Sequence, residues 1–168
     1  VKELLVTDNQ PVKKGDLLLV IDPNDYEAVL KQKEARLEEA KASLNISEKQ
    51  INQAESNLSQ SSQDIHATRS KLDFAQKDYK RYNDMYKEGI SSKQEYDSSK
   101  TALTVAKSAH KAAMDRESAA HSALQSAKAK KDATTAEIKR LEAEVEEAKL
   151  NLSYTKIYAP EDGNITSR

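Results

Sequence analysis

Two stretches of this sequence contain neither glycine nor proline, Asn24 to Glu88 and Ile90 to Ala159, and Gly89 alone divides them. The other breakers crowd the ends: Pro11, Gly15 and Pro23 come before the first stretch, and Pro160 and Gly163 after Ala159. Few turn residues mean few, long elements. Each stretch reads as one helix for most of its length, a rod of roughly 90 Å at about 1.5 Å rise per residue. A lone helix of that length has nowhere to bury an apolar stripe, so it needs a partner alongside.

Sevenfold spacing identifies the partner. Stepping by sevens from Leu30 meets Leu37, Leu44, Ile51, Leu58, Ile65, Leu72, Tyr79 and Tyr86, an unbroken a-position series. Its d companions, Tyr26, Lys33, Ala40, Ser47, Ala54, Ser61, Thr68, Ala75 and Tyr82, are mostly small. In the second stretch the a series is Tyr96, Leu103, His110, Glu117, Leu124, Lys131, Ile138, Val145 and Leu152. Its d companions run from Ser99 through Ala106, Ala113, Ala120, Ala127, Thr134 and Leu141 to Ala148. Large residues facing small ones suit a closely packed two-stranded coiled coil, and strict sevens imply a left-handed supercoil.

The hinge is equally specific. Gly89 can adopt the left-handed conformation that ends a helix, with Ile90 folding back on Met85 in a Schellman termination. Ser92-Lys93-Gln94-Glu95 then reads as a capping box that starts the next helix. So short a connection forces the helices antiparallel. At the base, Asp22-Pro23 supplies an N-cap and a residue favoured at the first helical position.

Composition removes several function classes. Aromatic residues make up 5% of the chain, with one Phe and no Trp, too few for a thick globular core. Disorder is disfavoured by the scarcity of Gly and Pro and by a net charge of only -1. That charge leaves no basic excess for nucleic acid. No stretch approaches the roughly 20 apolar residues that span a bilayer. The absence of Cys excludes disulfides and thiolate zinc sites. A start at Val1 without a signal-like segment suggests an excised or processed piece.

Outside the helices, Leu17-Leu18-Leu19-Val20-Ile21 follows the turn Lys14-Gly15-Asp16, and Tyr154-Thr155-Lys156-Ile157-Tyr158 precedes the turn Pro160-Glu161-Asp162-Gly163. Both read as strands, and an antiparallel hairpin brings them together into one β-unit. The segment from Asp8 through Pro11, Gly15 and Leu17 to Pro23 resembles the first half-motif of the lipoyl-like domain of membrane fusion proteins, the HlyD-type periplasmic adaptors. Tyr154 to Gly163 resembles the second half-motif. In that family a helical hairpin is inserted between the halves, and the opening residues most resemble those of EmrA-like adaptors of drug exporters.

The expected fold is therefore mainly α: a long antiparallel two-helix coiled-coil hairpin inserted between the two halves of a small lipoyl-like β-domain. Residues 1–22 and 153–168 form the halves, and 23–152 the hairpin, with its tip near 86–92. The resemblance implies an adaptor in an efflux pump or type I secretion system. It would self-associate as a hexamer, hold an inner-membrane transporter, and meet an outer-membrane TolC-like channel with its tips. Its expected place is the periplasm, anchored to the inner membrane through a segment absent from this chain. The family's tip signature is Arg, Leu four residues on, and Ser seven further. Here the spacing lands on Arg81, Met85 and Ser92, with Met, apolar and of similar volume, replacing Leu. Gly89, Ile90 and Ser91 make the tip turn. No lipoate or biotin is expected, because Asp22-Pro23-Asn24-Asp25 offers no Lys where a carrier domain has one.

Each candidate has a plainer reading. Capping explains Ser92 without a partner, Ser91 is the alternative if the signature is shifted by one, and Met85 can serve as the clasp for Ile90. Arg81 at position c and Met85 at g lie one turn apart outside the seam, so Arg81 has no core role. Tyr79, Tyr82 and Tyr86 read as seam residues. His110, Glu117 and Lys131 interrupt the second helix's a series; the Glu117–His121 pair alone is weak evidence for a metal, and a softened seam explains them better. Asp162 is a turn residue without a second carboxylate for acid-base work. The chain reads as non-enzymatic. The rival to an adaptor is a coiled-coil spacer or scaffold arm of a cytoplasmic complex.

Overall fold

The structure, a computed structural model, describes residues 1–166. Residues 167 and 168, at the end of the expected second half, lie outside the described residues. Five short strands flank two long helices: β1 Glu3–Leu4, β2 Pro11–Val12, β3 Leu17–Val20, α1 Asn24–Lys87, α2 Lys93–Ser153, β4 Lys156–Tyr158 and β5 Gly163–Asn164. The residues group into two compact units, Val1–Asn45 with Asp132–Arg168, and Ile46–Lys131.

In the first unit, the strands from the two ends of the sequence pair with each other. β3 lies between β1 and β4, antiparallel to both, and β2 pairs with β5. The β3–β4 register shifts between Leu17 and Leu19. The core of this β-unit is small: Val6, Val12 and Ala159 are buried, with Leu18 and Ile165 packed against them. So few apolar side chains bury little area, and backbone bonds complete the unit. The Lys14 N–H donates to the Asp162 carboxylate at 2.7 Å, and the Gly15 N–H donates to the Ala159 carbonyl at 2.9 Å. Gly15, at φ 92°, supplies the left-handed residue of its turn. Asp162 is thus more than a local turn residue, because it ties the two halves together.

The second expected strand is shorter than the alternation of 154–158 suggests. Tyr154 and Thr155 finish the last turn of α2: the Tyr154 N–H reaches the Leu150 carbonyl, and the Thr155 N–H and hydroxyl both reach that of Leu152. The ladder begins there all the same, since the Ile21 N–H donates to the Thr155 carbonyl at 2.8 Å. At the start of α1 the Asp22 carboxylate accepts from the Asn24 N–H at 3.2 Å, and the Pro23 carbonyl accepts the bond from Glu27. The cap is an Asx-type turn, so the helix begins one residue beyond Pro23.

The predicted seam accounts for the burial of both helices. In the first unit Ile138, Leu141, Val145 and Ala148 of α2 are buried, and Leu30, Leu37, Ala40 and Leu44 of α1 are half-buried. An ion pair between Lys33 and Glu144 crosses from one helix to the other. In the second unit Ser47, Leu72 and Ala75 are buried on α1, and Ser99, Ala113 and Leu124 on α2. Cross-links run antiparallel: Glu48 to Lys131 at 3.0 Å, Gln50 to Lys130 at 3.2 Å, Thr68 to His110 at 3.2 Å and Tyr79 to Tyr96 at 3.4 Å. The series overreaches at its ends, where Tyr26 is 42% and Tyr86 40% exposed. His110 and Lys131 occupy seam positions with polar partners, and Glu117 is half-buried among them. Among the described residues no group of three or more His, Cys, Asp or Glu is placed to hold a metal ion.

Candidate functional site at the hairpin turn

Backbone hydrogen bonds close the turn. Gly89 has φ 75°, its N–H donates to the Tyr86 carbonyl at 3.1 Å, and the Ile90 N–H donates to the Met85 carbonyl at 2.8 Å. These are the two bonds of a Schellman termination. The side chains expected to accompany it stay accessible: Ile90 is 66% exposed and Met85 half-buried. The backbone bonds suffice to end the helix, so the Ile90 side chain is left facing water.

Ser92 and Glu95 form the capping box. The Ser92 N–H donates to Glu95 Oε2 at 2.8 Å, the Ser92 hydroxyl donates to the same oxygen at 2.9 Å, and the Glu95 N–H returns to Ser92 Oγ at 3.2 Å. The backbone donor and then the hydroxyl of Ser92 hold the Glu95 carboxyl below its usual range. The single hydroxyl proton of Ser92 is thereby committed, and toward any partner this hydroxyl acts as an acceptor. Ser91 is half-buried, its hydroxyl turned to the Tyr82 carbonyl at 3.5 Å.

Arg81 is exposed but not unattached. It donates to Asp78 at 2.8 Å, one turn back, and its guanidinium lies 5.2 Å from the centre of the Tyr82 ring. The i,i+3 spacing of Asp78 and Arg81 was a readable signal for this pair. A guanidinium steadied by a carboxylate and a ring loses less freedom on docking than a loose one. Three other tyrosines near the turn cluster, with Tyr86 and Tyr96 stacked and Tyr79 tilted against Tyr96. Tyr96 packs on Tyr86 at 5.1 Å between ring centres and on Tyr79 at 5.9 Å. The hydrogen bond with Tyr79 raises the Tyr96 phenol above its usual value.

A groove beside the turn is lined by Phe74, Asp78, Tyr82, Ser92, Glu95 and Ala102. Phe74, the only phenylalanine, is 67% exposed. It was legible as a large apolar residue outside the sevenfold series, as are Ile46, Val105 and Met114. Arg81 and Met85 sit on α1 one turn apart, whereas Ser92 stands at the first turn of α2 among the groove residues.

The family model described as EMRA, alpha-helical hairpin domain, matches residues 31–155. Multidrug resistance protein MdtN of Shigella flexneri is 32% identical over 165 residues, which cover 98% of this chain and 47% of the relative. Fatty acid resistance protein FarA of Neisseria gonorrhoeae is 31% identical over 169 aligned positions, covering 100% of this chain and 40% of the relative. The chain thus spans less than half the length of these curated relatives. Among solved structures, the periplasmic adaptor protein EmrA superposes with a TM-score of 0.51 at 18% identity, over 99% of this chain and 62% of that one. At that identity the likeness shows the fold.

Proposed function

The chain belongs to the EmrA-type membrane fusion proteins, the periplasmic adaptors, and from that premise we propose that it is the hairpin part of a non-enzymatic adaptor in a tripartite efflux pump. Residues 1–22 and 153–168 serve as the two halves of a lipoyl-like unit, and 23–152 as the hairpin between them. The β-unit end engages an inner-membrane transporter. The turn engages an outer-membrane TolC-like channel. Several copies, six on the family pattern, assemble side by side in the periplasm. The names of the relatives, which speak of resistance to drugs and fatty acids, favour export of small toxic compounds.

The observation that carries this reading is the construction of the turn. Gly89 and the capping box reverse the chain within a few residues, and the side chains left outermost include Ile90 and the braced Arg81. Arg81 and Met85 present a cation and an apolar surface from one helix, and Ser92 adds an acceptor from the other. That combination suits the end of a helical channel, where carbonyls and carboxylates are available to a guanidinium. The test is crosslinking in cells from cysteines placed at Arg81 or Ser92. Adducts to an outer-membrane channel are expected. Adducts confined to cytosolic proteins would discard the adaptor reading.

A further inference from the structure

The hairpin segment within Ile46–Lys131 has two unlike faces. Grooves on one side are lined by Phe74, Asp78, Ala102, Val105 and Ala109. These are positions c and g of the sevenfold pattern, which flank d. The charges there are of both signs and spread out: Asp78 holds Arg81, Ser92 holds Glu95, and Lys71, Glu88 and Arg116 stand exposed. The other side carries positions b and e. Their common face is evident farther along, where Glu55, Ser59, Met114, Ser118 and His121 line one groove. Toward the turn this face bears Lys80, Lys87, Lys93, Lys100, Lys107 and Lys111, all exposed. None of these ammonium groups takes part in a hydrogen bond or ion pair among the described residues, although lysines elsewhere in the chain do. The carboxylates at b and e positions on that face are Asp73, already paired with Arg69 at 3.2 Å, and Asp97.

We propose that this lysine face is a docking surface for the acidic side of an α-helical partner protein. The spacing is the argument for a helix. Lys93, Lys100 and Lys107 recur every seven residues on α2, and Lys80 and Lys87 do so on α1. Seven residues are two turns, about 10.5 Å, so each row matches carboxylates repeated by sevens on a helix lying alongside. A bilayer is the poorer fit, because basic helices that bind membranes set bulky apolar side chains among their lysines to insert between lipids. The residues between the lysines here are Gln76, Asn83, Asp97 and Thr104, Met114 beyond Lys111 is the one large apolar side chain exposed at a b or e position of this segment, and the exposed Phe74 and Val105 belong to the opposite face. Unpaired lysines left close together repel one another, a cost that an acidic partner reverses and that salt weakens. The assignment does not depend on Arg81 and Met85, which hold c and g positions on the other side.

The experiment measures fluorescence anisotropy of the protein with a helical peptide that carries glutamates every seventh residue along one side. An isomeric peptide with the glutamates scattered, and vesicles containing phosphatidylglycerol, are run beside it. The ordered peptide is expected to bind, and to bind about tenfold more weakly at about 0.3 M salt than at about 0.05 M. The K100E/K107E variant should lose about tenfold or more, and K71E on the opposite face less than about twofold. K100Q/K107Q, which removes charge without reversing it, should fall between wild type and the reversal. Equal binding by the reversal variant, equal binding of the scattered isomer, or preference for the vesicles each overturns the proposal. Failure here leaves crosslinking from Arg81 to a channel unaffected, so the two readings fail separately.

Discussion

Thr68 and His110 meet across the seam at 3.2 Å, and the Thr68 hydroxyl also faces the carbonyls of Asp64 and Ile65, at 2.8 and 3.0 Å. A hydroxyl has one proton, and when a helix carbonyl takes it Thr68 accepts from the imidazole. That arrangement predicts the hydrogen on His110 Nδ1. A polar seam layer is stable because both members are satisfied, and the same layer penalises slippage of one helix along the other.

Thr68→Val keeps the shape and removes the acceptor, leaving the His110 N–H unmatched in a half-buried place. Urea unfolding should show a loss of about 1 kcal/mol. The double variant T68V/H110L replaces both groups with apolar ones and should regain most of that loss. Nitrogen NMR on the wild type should find Nδ1 protonated; a bare Nδ1 would contradict the assignment.

Much of this hairpin was legible because the deciding signals are local or periodic. The seam from Leu30 to Leu152 follows one period, and Gly89, Ser92 and Glu95 declare the turn within seven residues. What escaped was of other kinds. Asp162 caps Lys14 across 148 residues, a contact that no local pattern announces. Tyr154 and Thr155 were misassigned because alternation over five residues does not separate a strand from the last turn of a helix that a threonine hydroxyl prolongs. The exposure of Ile90 was not legible because the Schellman pattern specifies backbone bonds and leaves the accessibility of the side chain open.

The capping box gives a test with a pH signature. Ser92→Ala removes the acceptor for the Glu95 N–H and one donor to its carboxylate, and should cost about 1 kcal/mol. Because Ser92 depresses the Glu95 value, the stabilisation is present above the unfolded carboxylate range and is lost as pH falls through the folded value. In the variant the acid-side decline should flatten, and carbon NMR should find Glu95 titrating higher. An unchanged Glu95 titration would show that the backbone N–H of residue 92, which the substitution keeps, sets the shift without help from the hydroxyl.

At Gly89, φ is 75° and a Cβ would meet nothing within 4 Å. Substitution there is opposed by backbone strain alone. Gly89→Ala should therefore lower stability by about 1 kcal/mol, and Gly89→Asn by less, since asparagine tolerates the left-handed region better. Thermal unfolding monitored by circular dichroism ranks the three. If alanine and asparagine were equally harmful, side-chain crowding at the turn would have to replace strain as the cause.

Glu144 joins two cations, accepting from Lys33 of the opposite helix and from Arg140 of its own. The hydrogen bond from Lys33 is the chief reason its carboxyl lies below the usual range, with the charges of Lys33, Arg140 and Arg36 adding to it. A depressed carboxylate stabilises the fold above its unfolded range and loses that contribution as pH falls through its folded value. Lys33→Met removes the chief donor while placing an apolar side chain at a seam position. Glu144 should then titrate closer to an ordinary glutamate, still low because Arg140 remains, and the variant should lose less stability than wild type between neutral and acid pH. Side-chain carbon NMR reads the first effect and denaturant titrations at the two pH values the second. A Glu144 titration unmoved by the substitution would assign the depression to Arg140 and leave the inter-helix pair without an electrostatic role.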